Sequence, residues 1–364
     1  MLLETLITDK EFDENSFIAE IHEYTDPLIL YGAGDRAYAV YRFLQKKHKK
    51  ISHVVLSRKY YRDGLHLVNT DICVECMEEV LEKYKSVDMI LGLPKYFLQE
   101  DSHSFQQIIH LIDINIGVVP GYNFGYAYFY DNITKWQWLF DHLSDDHSRN
   151  LLVTHLNSRI SGKSMPFESS GWVDPEYFLD DIIQWKQREV IIDCGAYIGD
   201  TVEEFLQKKP DWLQEYRYYA VEPMKEFYDI LKASYDENPN ILPILGAVWD
   251  TNGALSFSED GELSHVDAAG TSKNINALTI PTIIEKESMP ITLIKMDIEG
   301  SEFPALRGAR EIIQKDKPRL AICCYHRKED LITIPEYIWN LCQDYRFYLR
   351  PHSAMPTELV LYCI

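Results

Sequence analysis

Between Glu189 and Thr201 the chain reads EVIIDCGAYIGDT. An apolar, β-branched run, Val190 to Ile192, ends on Asp193. Gly195 and Gly199 follow, and Thr201 opens a helical stretch, TVEEFLQKK. Strand, glycine turn and helix form the ligand-facing corner of a doubly wound sheet. Glycine lets a ligand come close to the backbone, and the helix N-terminus favours electron-rich groups. The next strand, RYYAVEP, puts Glu222 at its C-terminal end, where a carboxylate accepts both hydroxyls of a ribose. Together these residues predict a nucleoside pocket at the carboxyl edge of a parallel sheet. The plainer alternatives are a turn with no ligand and a solvated strand end.

The elements that must carry these residues follow from periodicity and connection length. Strands are predicted over 189–194, 217–222, 241–248, 292–297 and 318–324, with crossovers between them. Two more, 345–350 and 357–363, are joined only by PHSAMP, too short for a helix, so they must form an antiparallel hairpin. Upstream, residues 1–26 read as a helical lead-in, and PLILYGAGDRAYAVYRFLQKK repeats the order strand, glycine turn, helix. ISHVVLS and SVDMILGL read as strands, DICVECMEEVLEKYK and SFQQIIHLID as helices, and INIGVVPGY as a fourth strand. Strands alternating with helices imply a parallel α/β sheet. Leu139, Leu143, Leu151, Leu152 and Leu156 recur at helical spacing. The expected division is 1–130, a small Rossmann-like domain; 131–188, a helical connector; and 189–364, the main domain.

Composition narrows the partners. The 364 residues are 46% hydrophobic and 26% charged, enough for two cores. A net charge of -21 repels nucleic acid and anionic lipid. The basic run Lys46-Lys47-His48-Lys49-Lys50 reads as a solvated helix end. No run has the ~20 apolar residues of a membrane span, and the N-terminus lacks a signal-peptide pattern, so a cytoplasmic chain is expected. The seven cysteines fit buried reduced thiols; Cys73 and Cys76 form one CxxC, with no second pair to complete a zinc site.

Six motifs occur in order: IDCGAYIGDT, AVEP, LGAVWD, IKMDIEGSEFPALRGA, KPRLAICCYH and TELVLYC. From about residue 135 onward the chain resembles the FkbM family of S-adenosylmethionine-dependent methyltransferases. The resemblance implies a class I methyltransferase Rossmann-like sheet of five parallel strands plus the hairpin. It also implies O-methyl transfer from S-adenosylmethionine to a hydroxyl of a sugar, glycan or related small molecule, as in polysaccharide or natural-product pathways.

On that reading the cofactor lies against Asp193, Gly195, Tyr197, Gly199, Thr201, Glu222, Ala247, Val248 and Asp297. Asp193 takes the ammonium, directly or through water; Gly195 gives the backbone room; Thr201 or Asp200 caps the helix. Ala247 and Val248 line the adenine, and Trp249 either stacks on it or belongs to the core. Asp297, Glu299 and Glu302 crowd one strand end, too many acids for a core. Asp297 orients the cofactor, binds the acceptor or helps hold a cation, whereas Glu302 fits a helix start. His326, at the end of CCYH, is the expected base, and Asp297 and Glu299 are expected beside it. The alternative is a histidine that only ties down its loop. A divalent metal on Asp297, Glu299 and His326 is the minority reading against a metal-free acceptor site. Arg350 and His352, on the hairpin, are further candidates for the same mouth.

The N-terminal turn, Tyr31-Gly32-Ala33-Gly34-Asp35-Arg36-Ala37, fits GxGxxA and is a weak signal alone. It serves a nucleotide-sugar or part of the acceptor, or is a ligand-free packing or dimerisation module. The aromatic stretches GYNFGYAYFY and WQW suit either a sugar groove or packing. Two rival functions follow: an NAD(P)- or nucleotide-sugar-linked enzyme using this turn, and a non-catalytic nucleotide-binding protein. A homo-oligomer is compatible with each.

Overall fold

The computed structural model describes residues 2–8, 10, 21–93, 107–112, 125–161, 177–258, 265–266, 273–352 and 359–364. The chain forms two compact units, one reaching to Phe140 and resuming at Asn150, the other including Asp141–Arg149 and the C-terminal sheet.

In the first unit, β1 (Leu28–Tyr31), β2 (His53–Leu56), β3 (Val74–Cys76), β4 (Val87–Leu91) and β5 (Ile108–Ile112) pair in parallel in the order β3-β2-β1-β4-β5. Leu28 and Leu30 pack with Val54, Leu56 and Ile90 in one core cluster. Ile29 and Tyr31 pack with Val55, Met89 and Leu91 in the other. Both faces are covered, as a parallel sheet requires. The helix Asp35–Lys46 starts directly after the glycine turn.

Two expectations change here. SFQQIIHLID is not helical where described: Ile108–Ile112 is strand β5, because an isoleucine-rich run beside β4 pairs with it in parallel, with one register shift. In DICVECMEEVLEKYK, Val74–Cys76 joins the sheet as β3 and only Met77–Leu81 is α-helix. INIGVVPGY lies outside the described residues. Further along, Gly125–Asp131, Ile133–His142 and Asp146–Ser161 are helices, and the five periodic leucines are all buried.

The second unit carries β6 (Arg188–Cys194), β7 (Glu215–Glu222), β8 (Ile241–Leu245), β9 (Ala247–Val248), β10 (Gly253–Ser258), β11 (His265–Val266), β12 (Lys273–Leu278), β13 (Leu293–Met296), β14 (Arg319–Cys323), β15 (Phe347–Pro351) and β16 (Leu359–Cys363). Its main sheet runs β15-β16-β14-β13-β6-β7-β8. The five strands β14, β13, β6, β7 and β8 are parallel, and β16 and β15 add antiparallel, as the short connection requires. The strand predicted over 241–248 breaks at Gly246. Its end, β9, pairs instead with β12 in a second sheet, β11-β10-β12-β9, which the sequence reading did not foresee. Strand order reverses at β6, between β13 and β7. Ligands of doubly wound folds bind at such a reversal, outside the carboxyl ends of the strands. Among the described residues no helix is long and apolar enough to cross a membrane.

Candidate active site

The parallel register sets Lys295 of β13 beside Asp193 of β6. Lys295 Nζ lies 3.0 Å from Asp193 Oδ1, and Tyr218 donates to Asp193 Oδ2 at 2.9 Å. Lys295 also donates to the Gly195 carbonyl at 2.7 Å and sits over the Tyr177 ring. Burial alone would lower the lysine pKa, but Asp193 and then Asp297 raise it and keep the ammonium charged. Asp193, expected to take a cofactor ammonium, is fully buried. Its observed partner is this lysine, so it acts on the glycine turn through Lys295. A lone lysine inside the apolar strand ITLIKM was the signal for such a partner, and sequence reasoning missed it.

Gly195 has φ +81°, and a Cβ there would lie 1.9 Å from the Asp297 carbonyl oxygen. The glycine is needed because two chain segments touch, whatever room a ligand also takes. Gly199 has φ +97°, and a Cβ would come within 2.6 Å of the Tyr235 ring. Tyr235 also donates to the Gly199 carbonyl at 2.9 Å. Gly199→Ala is therefore expected to cost about 2 kcal/mol through left-handed strain and a displaced ring, read as a lower denaturation midpoint. Gly199 is itself the N-cap of the helix Asp200–Lys208, which has no side-chain cap bond. The expected capping by Thr201 or Asp200 is thus corrected: both lie inside the first turn, Thr201 buried and Asp200 complementing the dipole.

Glu222 ends β7 with its carboxylate over this turn. The backbone N–H of Tyr197 donates to Oε2 at 3.0 Å and that of Met224 to Oε1 at 2.7 Å. Tyr197 takes a positive φ and packs edge-on against Phe227. Burial raises the Glu222 pKa to about 7, against the pull of the two amides. Ala247 and Val248 are buried in β9, one residue beyond Gly246, whose N–H donates to the Glu222 carbonyl. Trp249 is half-buried, its N–H bonded to the Leu278 carbonyl. Ile198 and Leu245, which follow the glycine turn and end β8, are exposed apolar side chains.

Asp297, Glu299 and His326 come together where β13 and β14 end. His326 Nε2 is 3.5 Å from Asp297 Oδ1 and 3.4 Å from Glu299 Oε2, and Nδ1 is 3.0 Å from Glu302 Oε1. Glu302, fully buried, also accepts the Ile298 N–H at 2.9 Å, so it does more than complement a helix dipole. Tyr177 and Tyr325 each donate to Asp297 at 3.3 Å; neither was singled out in the sequence. Burial alone would lower the His326 pKa, but Glu302 foremost, then Asp297 and Glu299, raise it to about 10. The three carboxylates by themselves favour the protonated imidazole, the wrong state for the base expected there. Arg350 is occupied by Asp145 at 2.7 Å and Asp181 at 3.2 Å, and His352 pairs with Tyr362 at 2.8 Å. Cys73 and Cys76 are free thiols, the first exposed and the second buried, and form no metal-holding group among the described residues.

Known proteins align with this architecture. Residues 193–350 match the family model described as the methyltransferase FkbM domain. The solved methyltransferase FkbM from Methylobacillus flagellatus KT has 22% identity over 100% of this chain and 97% of its own, with a TM-score of 0.71, which shows a shared fold. Aeropyrum pernix fibrillarin, solved with natively bound S-adenosyl-L-methionine, has 16% identity over 51% of this chain and 72% of its own, at a TM-score of 0.33. No curated protein matches the chain. The glycine turn, Glu222 and the DIEGSE cluster all lie within the stretch that matches the methyltransferase FkbM domain.

Proposed function

We propose that the second unit transfers the methyl group of S-adenosylmethionine to a hydroxyl of a sugar, glycan or related small molecule. The observation that carries this is Glu222. Its two oxygens each accept one backbone amide, and a carboxylate has about four lone-pair sites, leaving two for the hydroxyls of a ribose. It stands beside the glycine turn at the strand reversal, with Ile198 and Leu245 exposed nearby in sequence to these elements as apolar cover for a base. Bound there, S-adenosylmethionine supplies a methyl group on a positively charged sulfur, a strong electrophile. The chain's own task is then mainly to align the acceptor oxygen and accept its proton. Asp297 and Glu299, about three-tenths exposed at the end of β13, suit that task, with His326 fixing them from behind.

Calorimetric titration of the full chain with S-adenosylhomocysteine tests the pocket. Micromolar binding at one site per chain is the expected result. A folded protein that takes up none would overturn the proposal.

A further inference from the structure

We infer that Asp297, Glu299 and His326 form a binding site for one divalent first-row cation, with Glu302 orienting the histidine. Ligand atoms of Asp297, Glu302 and His326 all lie within 4.8 Å of one another, and Glu299 reaches the same imidazole from the turn after β13. The His326 side chain is only 6% exposed, yet its Nε2 makes no well-formed hydrogen bond. Its Nε2 stands 3.5 Å from Asp297 Oδ1 and 3.4 Å from Glu299 Oε2. Charge-assisted hydrogen bonds are shorter, roughly 2.7–2.9 Å. Ligand atoms each ~2.1 Å from a common ion lie roughly 3.0–3.5 Å apart, and both carboxylates stand at that spacing from Nε2.

The surroundings have the form that metal sites use. Metal-bound histidines present one nitrogen to the ion and the other to a carboxylate that fixes the ring. Here Glu302 Oε1 takes Nδ1 at 3.0 Å and is itself held by the Ile298 N–H, while Glu302 Oε2 is buried with no hydrogen bond. Tyr177 and Tyr325 steady the two oxygens of Asp297. One imidazole with two carboxylates is a mixed donor set that suits Mn²⁺ better than Zn²⁺ in a thiolate site or Ca²⁺ in an all-oxygen one. If the proposed methyl transfer holds, such an ion would bind the acceptor oxygen and make its proton easier to lose.

The test uses Mn²⁺ alone, so it does not depend on methyl transfer. The full chain, stripped with a chelator, is titrated with Mn²⁺ while the free ion is followed by electron paramagnetic resonance. One ion per chain is expected, with affinity lowered at least tenfold in Glu299→Gln and in His326→Ala. Glu299 is partly exposed, so its variant should keep the fold, checked by an unchanged unfolding midpoint without metal. Absence of stoichiometric Mn²⁺ binding would overturn the site. So would equal binding by wild type and Glu299→Gln, which would assign the ion to the acidic surface.

Discussion

Glu222→Ala is expected to lower affinity for S-adenosylhomocysteine about 100-fold. Hydrogen bonds to a charged acceptor contribute about 1.5–3 kcal/mol each, and every 1.4 kcal/mol is a factor of ten, so losing two ribose contacts approaches that figure. The substitution also leaves the N–H groups of Tyr197 and Met224 without their acceptor. Part of the loss therefore comes from a loosened turn, and an unfolding curve separates the two contributions. A variant that unfolds like wild type and binds within threefold of it would remove Glu222 from the pocket.

The same carboxyl should make binding and stability depend on pH. Its folded pKa is raised to about 7, above that of an ordinary glutamate, so the folded chain binds the proton more readily. Its contribution to stability is full below the unfolded pKa and is lost as pH rises through about 7. At one pKa unit per 1.36 kcal/mol, that contribution is about 3 kcal/mol. Cofactor binding runs the other way, because the ionised form is the better acceptor for ribose. Affinity for S-adenosylhomocysteine should fall roughly tenfold from pH 8 to pH 6 in wild type, and Glu222→Gln should flatten that dependence.

The second large effect belongs to Lys295. Lys295→Met is expected to destabilise the fold by about 3–5 kcal/mol, because it leaves the Asp193 carboxylate buried without its cation. It also frees the Gly195 carbonyl, so the glycine turn should loosen with it. Adding Asp193→Asn removes the stranded charge while preserving an acceptor for Tyr218. The double variant should recover at least half of the loss in chemical denaturation. A single variant costing under about 1 kcal/mol would show that the pair does not organise the turn.

Much of this molecule is legible without coordinates, where the information is local. β-branched runs, glycine turns and connection lengths specify the strands and their direction, including the C-terminal hairpin, since PHSAMP is too short for a helix. The carboxyl-edge placement of Glu222, Asp297 and His326 follows from the same strand ends. Boundaries failed where a segment's fate depends on its neighbour. Ile108–Ile112 is a strand because β4 offers a ladder, and 241–248 splits because Ala247 and Val248 pair with β12.

Only the tertiary structure decided the roles within the site. Asp193 meets Lys295 through the register of two strands about a hundred positions apart, so its motif position alone suggested an open ligand contact. Gly195 answers to the Asp297 carbonyl across the same gap. His326 looked like a base because a lone histidine titrates near neutrality. Folding surrounds it with three carboxylates from a turn and a helix start, and the charge it carries depends on that company.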